Sequence, residues 1–149
     1  MNRLKLRSKI TFMGEVRVKI KIVNAGDEAM FRRGKLSKEE IRTYETDALV
    51  DTGAIPSVLP IEIVQALGLD LIRQKRATYA NNSSENVDVT EPVTFVILGR
   101  RVTEEALVLG EEVLIGQIAL ERTDLMVDCT NQRVIRNPAH PDQLVMKIK

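Results

Sequence analysis

Asp51 stands at the end of the apolar run Ala48-Leu49-Val50 and just before the turn signal Thr52-Gly53. An ionised carboxylate carried into a core is costly unless something pairs with it or protonates it. A second carboxylate would supply that partner. Like charges about 3 Å apart cannot both ionise, so two such groups share one proton and split their pKa values. One then acts as base on a water while the other donates to a carbonyl, a hydrolysis that needs no metal and no covalent intermediate. A lone Asp-Thr-Gly is a weak signal, as any three-residue motif is. Its context adds weight: an apolar strand before it, a turn and a short helix after it, and later a second apolar pair ending in glycine, Leu114-Ile115-Gly116, again leading into a helical pattern, "QIALERT".

Other chemistries have little material. Cys129 is the one cysteine, so no internal disulfide forms, which fits a reducing compartment. One thiol and one histidine, His140, are too few for a zinc site, and neither metal nor cofactor is expected. A Ser-His-Asp or Cys-His mechanism would have to use His140, in the Pro-flanked segment "NPAHPD", and would need a third group to hold it. Asp128, in "DLMVDCT", echoes the run before Asp51 and is a second candidate for its partner within the chain, although Cys129-Thr130 lacks the loop glycine.

The elements around these residues read as follows. The 149 residues are expected to form a single domain with a real core. Val16 to Val23 alternates as a strand, and Arg17, Lys19 and Lys21 fall on its polar face. Net charge is +1, but residues 1–21 carry seven basic side chains against Glu15 alone. Residues 1–12 read as an N-terminal extension. A basic arm for nucleic acid is the sharper reading and a solvated strand face the preferred one, so no nucleic-acid partner is expected. Residues 24–46 break the pattern as an insertion between strands, with Ser37 and Glu40 as a capping box opening a short helix, "SKEEIRT". "PIEIVQALG" has helical spacing and Gly68 at its C-terminal cap position. Two hairpins follow, one with "NNSS" at its tip and one between "VTFVIL" and "RVTEEALVL" around Gly99-Arg100. "EVLIGQIAL", "DLMVD" and a last strand "QLVMKI" complete an all-β, barrel-like domain with one or two short helices. Met146 and Cys129 read as packing residues. No apolar run approaches the roughly 20 residues that span a bilayer, and no signal-peptide core opens the chain, so a cytoplasmic protein without a membrane partner is expected.

"ALVDTGA" and "VLIGQIALERTDLMVD" together resemble the two signatures of the retropepsin-like (clan AA) aspartic proteases, in particular the small bacterial single-domain members. The likeness runs from about Gly14 to "RNPAHP". It implies a retropepsin-like acid protease barrel in which Asp51 is catalytic, Thr52 braces the two active-site loops across a dimer, and Gly53 permits the tight loop. Ala54 occupies the position where pepsin-like enzymes carry serine. Leu114, Ile115 and Gly116 form the second signature. With one Asp-Thr-Gly per chain, the partner of Asp51 is then Asp51 of an identical chain, because a two-fold axis places one residue twice around one site.

The sequence departs from retroviral members at several places. Ile55-Pro56 and Gln117 replace the acidic residues and the arginine those enzymes carry, so the loop is expected to be held by packing. The flap candidate, Tyr79 with Asn81, Asn82 and Ser83, has a polar tip in place of glycines. Segment 24–46 is long enough to cover the site, and "QLVMKI" would either join an intersubunit sheet or complete its own subunit. The resemblance implies a homodimeric aspartic endopeptidase acting on a peptide or protein substrate. The alternative is a catalytically silent module of the same fold that binds peptides or dimerises through the cleft.

Overall fold

The computed structural model describes residues 15–148. The N-terminal extension 1–12, with Arg3, Lys5, Arg7 and Lys9, lies outside the described residues. Strand β1 (Arg17–Asn24) alternates as its sequence demands: Ile20 and Ile22 are buried while Lys19 and Lys21 face solvent. Arg17 leaves that solvated face to pair with Glu15 and Glu112 at 3.1 and 2.9 Å. Strand β2 (Thr43–Val50) runs antiparallel to β1, from Val23 opposite Thr43 to Arg17 opposite Leu49.

Between them the chain makes an excursion whose content differs from the expected one. Helix α1 (Ala25–Arg32) forms at once, because the Asn24 side chain accepts a bond from the Asp27 amide at 2.9 Å. The Ser37–Glu40 capping box is present but opens only a 3-10 turn, Lys38–Glu40. A helix over "SKEEIRT" is stopped by Arg42, whose amide and guanidinium both bond the Asp27 carboxylate, at 2.8–3.0 Å. Residues 43–46 belong to β2, so the excursion spans 25–42. It also does not cover Asp51. It leaves from the Thr43 end of β2, and Asp51 follows the other end, roughly 25 Å away at the usual rise per strand residue.

Strand β3 (Val58–Leu59) leads into helix α2 (Ile61–Ala66). Gly68 ends it with φ +62, and bonds from the Gly68 and Leu69 amides to Gln65 and Val64 satisfy its last carbonyls. Strands β4 (Leu71–Thr78) and β5 (Ser84–Thr90) form the first hairpin. Strands β6 (Val93–Ile97) and β7 (Arg100–Glu104) form the second, around Leu98-Gly99, both at positive φ; Arg100 already belongs to β7. The expected continuous strand "RVTEEALVL" is broken at residues 105–106, which carry the chain from β7 to β8 (Leu107–Val108) in another part of the sheet. Then come β9 (Val113–Ile115), helix α3 (Gln117–Arg122), and a separate ribbon of β10 (Leu125–Asp128) with β11 (Arg133–Arg136).

The nine strands are ordered β4-β5-β8-β3-β9-β2-β1-β6-β7, and the sheet curls into a half-barrel. The architecture is mainly β, as the short strands and turn signals indicated, with three short α-helices among the described residues where one or two were expected. Ala48, Val113 and Ile115 face the main core with Ile22, Phe95 and Leu120, whereas Leu49, Val58 and Leu114 form a smaller cluster on the other face. Strands buried on both faces read as unbroken apolar runs, which is why "ALV" and "VLI" do not alternate.

Two C-terminal expectations fail, a last strand completing its own subunit and the packing of Met146 and Cys129, whereas an intersubunit sheet calls for a second chain. "QLVMKI" is not a strand; Val145 is tied down by its amide to the Asp124 carboxylate at 3.2 Å, and the chain beyond meets no sheet edge among the described residues. Met146 is 67% exposed and Cys129 is also exposed, so neither packs a core.

Candidate active site

The pairing of β2 with β9 is parallel, with Leu49 opposite Leu114 and Val50 opposite Ile115. The Asp51 amide extends this ladder by donating to the Ile115 carbonyl at 3.0 Å. Residues far apart in sequence are thereby brought side by side, the Asp-Thr-Gly loop against the Leu-Ile-Gly signature. Asp51 then turns the chain twice over. Its carbonyl accepts from the Ala54 amide at 3.1 Å, and its Oδ1 accepts from the Gly53 amide at 3.0 Å.

From Ala54 the loop crosses directly over Gly116. The Gln117 and Ile118 amides donate to the Ala54 and Ile55 carbonyls at 2.8 and 3.3 Å, and the Gly116 amide donates to Ser57 Oγ at 3.2 Å. A Cβ on Gly116 would lie 2.5, 2.7 and 2.8 Å from the carbonyl oxygens of Pro56, Ile55 and Ala54. Gly116 has φ −89, open to any residue, so this glycine is required by proximity and not by backbone angle. Gly53 likewise has no left-handed φ; a Cβ there would stand 3.2 Å from Asp51 Oδ1. Its contribution is to leave the carboxylate uncrowded and to donate to it, a different reason from the tight turn expected. The loop is held by backbone bonds to α3 where packing alone was expected, and the Gln117 side chain bonds Glu121 within its own helix at 3.1 Å.

Asp51 is half-buried, and among the described residues no cation or second carboxylate pairs with it. Thr52 and Gly53 are exposed, and the Thr52 hydroxyl has no partner among the described residues. Ile55 beside them is 65% exposed. Asp128 is committed elsewhere. Its two oxygens accept from the Asn131 amide and side chain and from Arg133, closing the β10–β11 turn, and the Asn131 bonds hold its carboxyl below the usual range.

The flap candidate is the tip of the β4–β5 hairpin. The Tyr79 amide donates to the Ser83 carbonyl at 2.8 Å, Asn82 turns the chain at φ 66, and Asn81 Oδ1 accepts from the Ser83 amide at 2.9 Å. The Tyr79 hydroxyl donates to Glu85, which pushes its pKa up. These bonds are all local, and the structure draws no bond between the tip and the Asp51 loop.

Two residues of the site were not read from the sequence. Ser57 is fully buried and meets Gly116, and its amide donates to Glu104 Oε1 at 3.2 Å. The only sequence signal for Ser57 is a small polar residue wedged between Pro56 and the apolar Val58-Leu59; Glu104 has none that separates it from Glu105. His140 does find an orienting group, with Nδ1 2.7 Å from Asp124 Oδ2, but no nucleophile is bonded to its ring among the described residues. Nor do three His, Cys, Asp or Glu side chains cluster as metal ligands among them, and no helix is long and apolar enough to cross a membrane. No protein-family model matches the chain, and no curated protein matches it.

Proposed function

We propose that this chain is an aspartic endopeptidase of retropepsin-like fold, active as a homodimer in the cytoplasm, in which Asp51 of two identical chains share a proton and activate water against a peptide bond. The observation that carries the reading is the crossed loop: Asp51 hydrogen-bonded to Ile115 at 3.0 Å, with residues 54–57 laid over Gly116. A carboxylate set on so constrained a backbone, half-buried and without a cation among the described residues, is suited to sharing a proton rather than to an ordinary ion pair.

The bare surface of the loop favours the dimer. Thr52 offers a hydroxyl with no partner among the described residues of its own chain, next to exposed Gly53 and Ile55. A two-fold axis beside Thr52 would give that hydroxyl its partner and bring the two carboxylates together. In such a site one carboxylate takes the proton from water, the other protonates the substrate carbonyl, and the β4–β5 hairpin covers the bound peptide.

The test is cleavage of a diverse peptide library at several pH values by wild type and by Asp51→Asn. Cleavage by wild type alone supports the reading. A folded dimer that binds peptides without cutting them supports the silent module. Titrating Asp51→Asn chains into wild type tests the shared site: at equal amounts about one quarter of randomly paired dimers keep two aspartates, so activity per wild-type chain halves. Activity that stays proportional to wild-type chain, while heterodimers form, refutes the shared dyad.

A further inference from the structure

Ser57 joins three parts of the fold through its three polar groups. Its hydroxyl oxygen accepts from the Gly116 amide at 3.2 Å, its carbonyl accepts from the Leu107 amide at 3.0 Å, and its amide donates to Glu104 at 3.2 Å. The first comes from the residue that follows β9 and the second from β8, the two strands that neighbour β3 in the sheet. The third goes to neither. Glu104 ends β7, an edge strand five places from β3, and lies three residues before Leu107, where the chain enters β8 beside Ser57.

The Glu104 carboxylate is an expensive way to fill that position. Its Oε2 is buried and has no hydrogen-bond partner among the described residues. A buried acceptor left without a donor destabilises a fold, and an apolar side chain would pack there at lower cost. What an apolar residue cannot do is accept from the Ser57 amide, which would otherwise be orphaned in the core.

Ser57 also connects this corner to the Asp51 loop. Its hydroxyl holds the Gly116 amide, and the adjoining Ile115 carbonyl accepts the Asp51 amide at 3.0 Å. We infer that Glu104 is a positioning residue, which fixes the Ser57 amide and, through Ser57 and Gly116, sets the loop that carries Asp51. The anchoring is a property of the fold, whereas its effect on turnover rests on the proposed hydrolytic reading.

The experiment separates the two. Amide hydrogen exchange of Ser57 is measured in the Asp51→Asn background, where turnover plays no part, with Glu104 intact and with Glu104→Leu, Glu104→Asp and Glu104→Gln. In parallel, kcat and KM are measured for the same Glu104 substitutions in chains that retain Asp51, on a peptide that wild type cleaves. Glu104→Leu removes the acceptor and is expected to speed Ser57 exchange on the order of tenfold, the worth of one hydrogen bond. It should lower kcat by roughly 10- to 100-fold with KM little changed, because a small misplacement of the reacting group acts on the chemical step. Glu104→Asp, still charged but one methylene short, should reproduce that loss, and serves in place of Glu104→Leu if the latter does not fold. Glu104→Gln keeps an accepting oxygen and should restore both readouts to within about threefold of wild type. Unchanged Ser57 exchange in Glu104→Leu or Glu104→Asp overturns the anchoring. Normal kcat in either despite faster exchange overturns its link to the loop. Loss in Glu104→Gln as deep as in Glu104→Leu overturns the role of the accepted bond. If wild type cleaves nothing, the hydrolytic reading falls, while the exchange result still decides the anchoring.

Discussion

Replacing Gly116 by alanine isolates the close approach on which the Asp51 loop depends. The added Cβ would stand 2.5 Å from the Pro56 carbonyl oxygen, and ordinary contact begins at 3.4 Å, so that carbonyl must retreat by about 0.9 Å. All three offending atoms are backbone, so no side chain can swing away. The retreat stretches two bonds, Gly116 N to Ser57 Oγ at 3.2 Å and Gln117 N to the Ala54 carbonyl at 2.8 Å. Each is worth about 1 kcal/mol net. Overpacking of a dense interior adds about 1–3 kcal/mol. Glycine's conformational freedom adds nothing here, because φ is −89. The expected loss is therefore about 3–5 kcal/mol, a large share of the roughly 5–15 kcal/mol that hold a typical domain. Gly34→Ala is the matching control. It has φ +73 and nothing within 4 Å of the added carbon, so it pays only the backbone term of about 1–2 kcal/mol. Urea unfolding followed by circular dichroism measures both. If Gly116→Ala stays within about 1 kcal/mol of wild type with an unchanged m-value, the crossing is looser than described and the argument for a rigid Asp51 loop fails.

Three further outcomes are expected. Arg42→Ala should destabilise the fold by about 1–2 kcal/mol at neutral pH, less than for a fully buried pair because solvent screens the half-exposed guanidinium. Hydrogen bonds from Arg42 hold the Asp27 carboxyl below its ordinary 3.8, so this stability is fully present above that value and is lost as pH falls through the folded-state one. Acid unfolding curves of wild type and Arg42→Ala should therefore converge at low pH, and a gap that persists there refutes the assignment. On the proposed reading, Asp128→Asn should retain most cleavage activity, since both Asp128 oxygens serve the β10–β11 turn; a folded but inactive variant would return Asp128 to the site. On the proposed reading, Ala54→Ser should move the pH profile of cleavage, expected at about pH 5–6 by analogy with other carboxylate pairs, toward acid, since a hydroxyl beside such a dyad favours its ionised form; a move toward alkali contradicts the proposal.

The sequence by itself determined the strand character of residues 17–24, the α2 helix with its Gly68 cap and both hairpins, and it singled out the Asp51 loop as the candidate for chemistry. These are local matters: period-two burial, helical spacing and positive-φ turns are written into neighbouring residues. It also marked Gly116, though not its reason, because a close approach between chain segments distant in sequence leaves no local trace. Only the tertiary structure decided the rest. Helix α1 exists and "SKEEIRT" shrinks to a turn because Arg42 and Asp27 meet across the excursion. Asp128, similar to Asp51 in its flanking residues, is claimed by Asn131 and Arg133. The tail residues Val145 and Met146 read as a strand, yet a strand needs a neighbour, and within the described residues of one chain they have none. Ser57 and Glu104 become legible only once the chain has folded, since a polar residue declares its role through the partner it finds, and that partner is chosen by the fold.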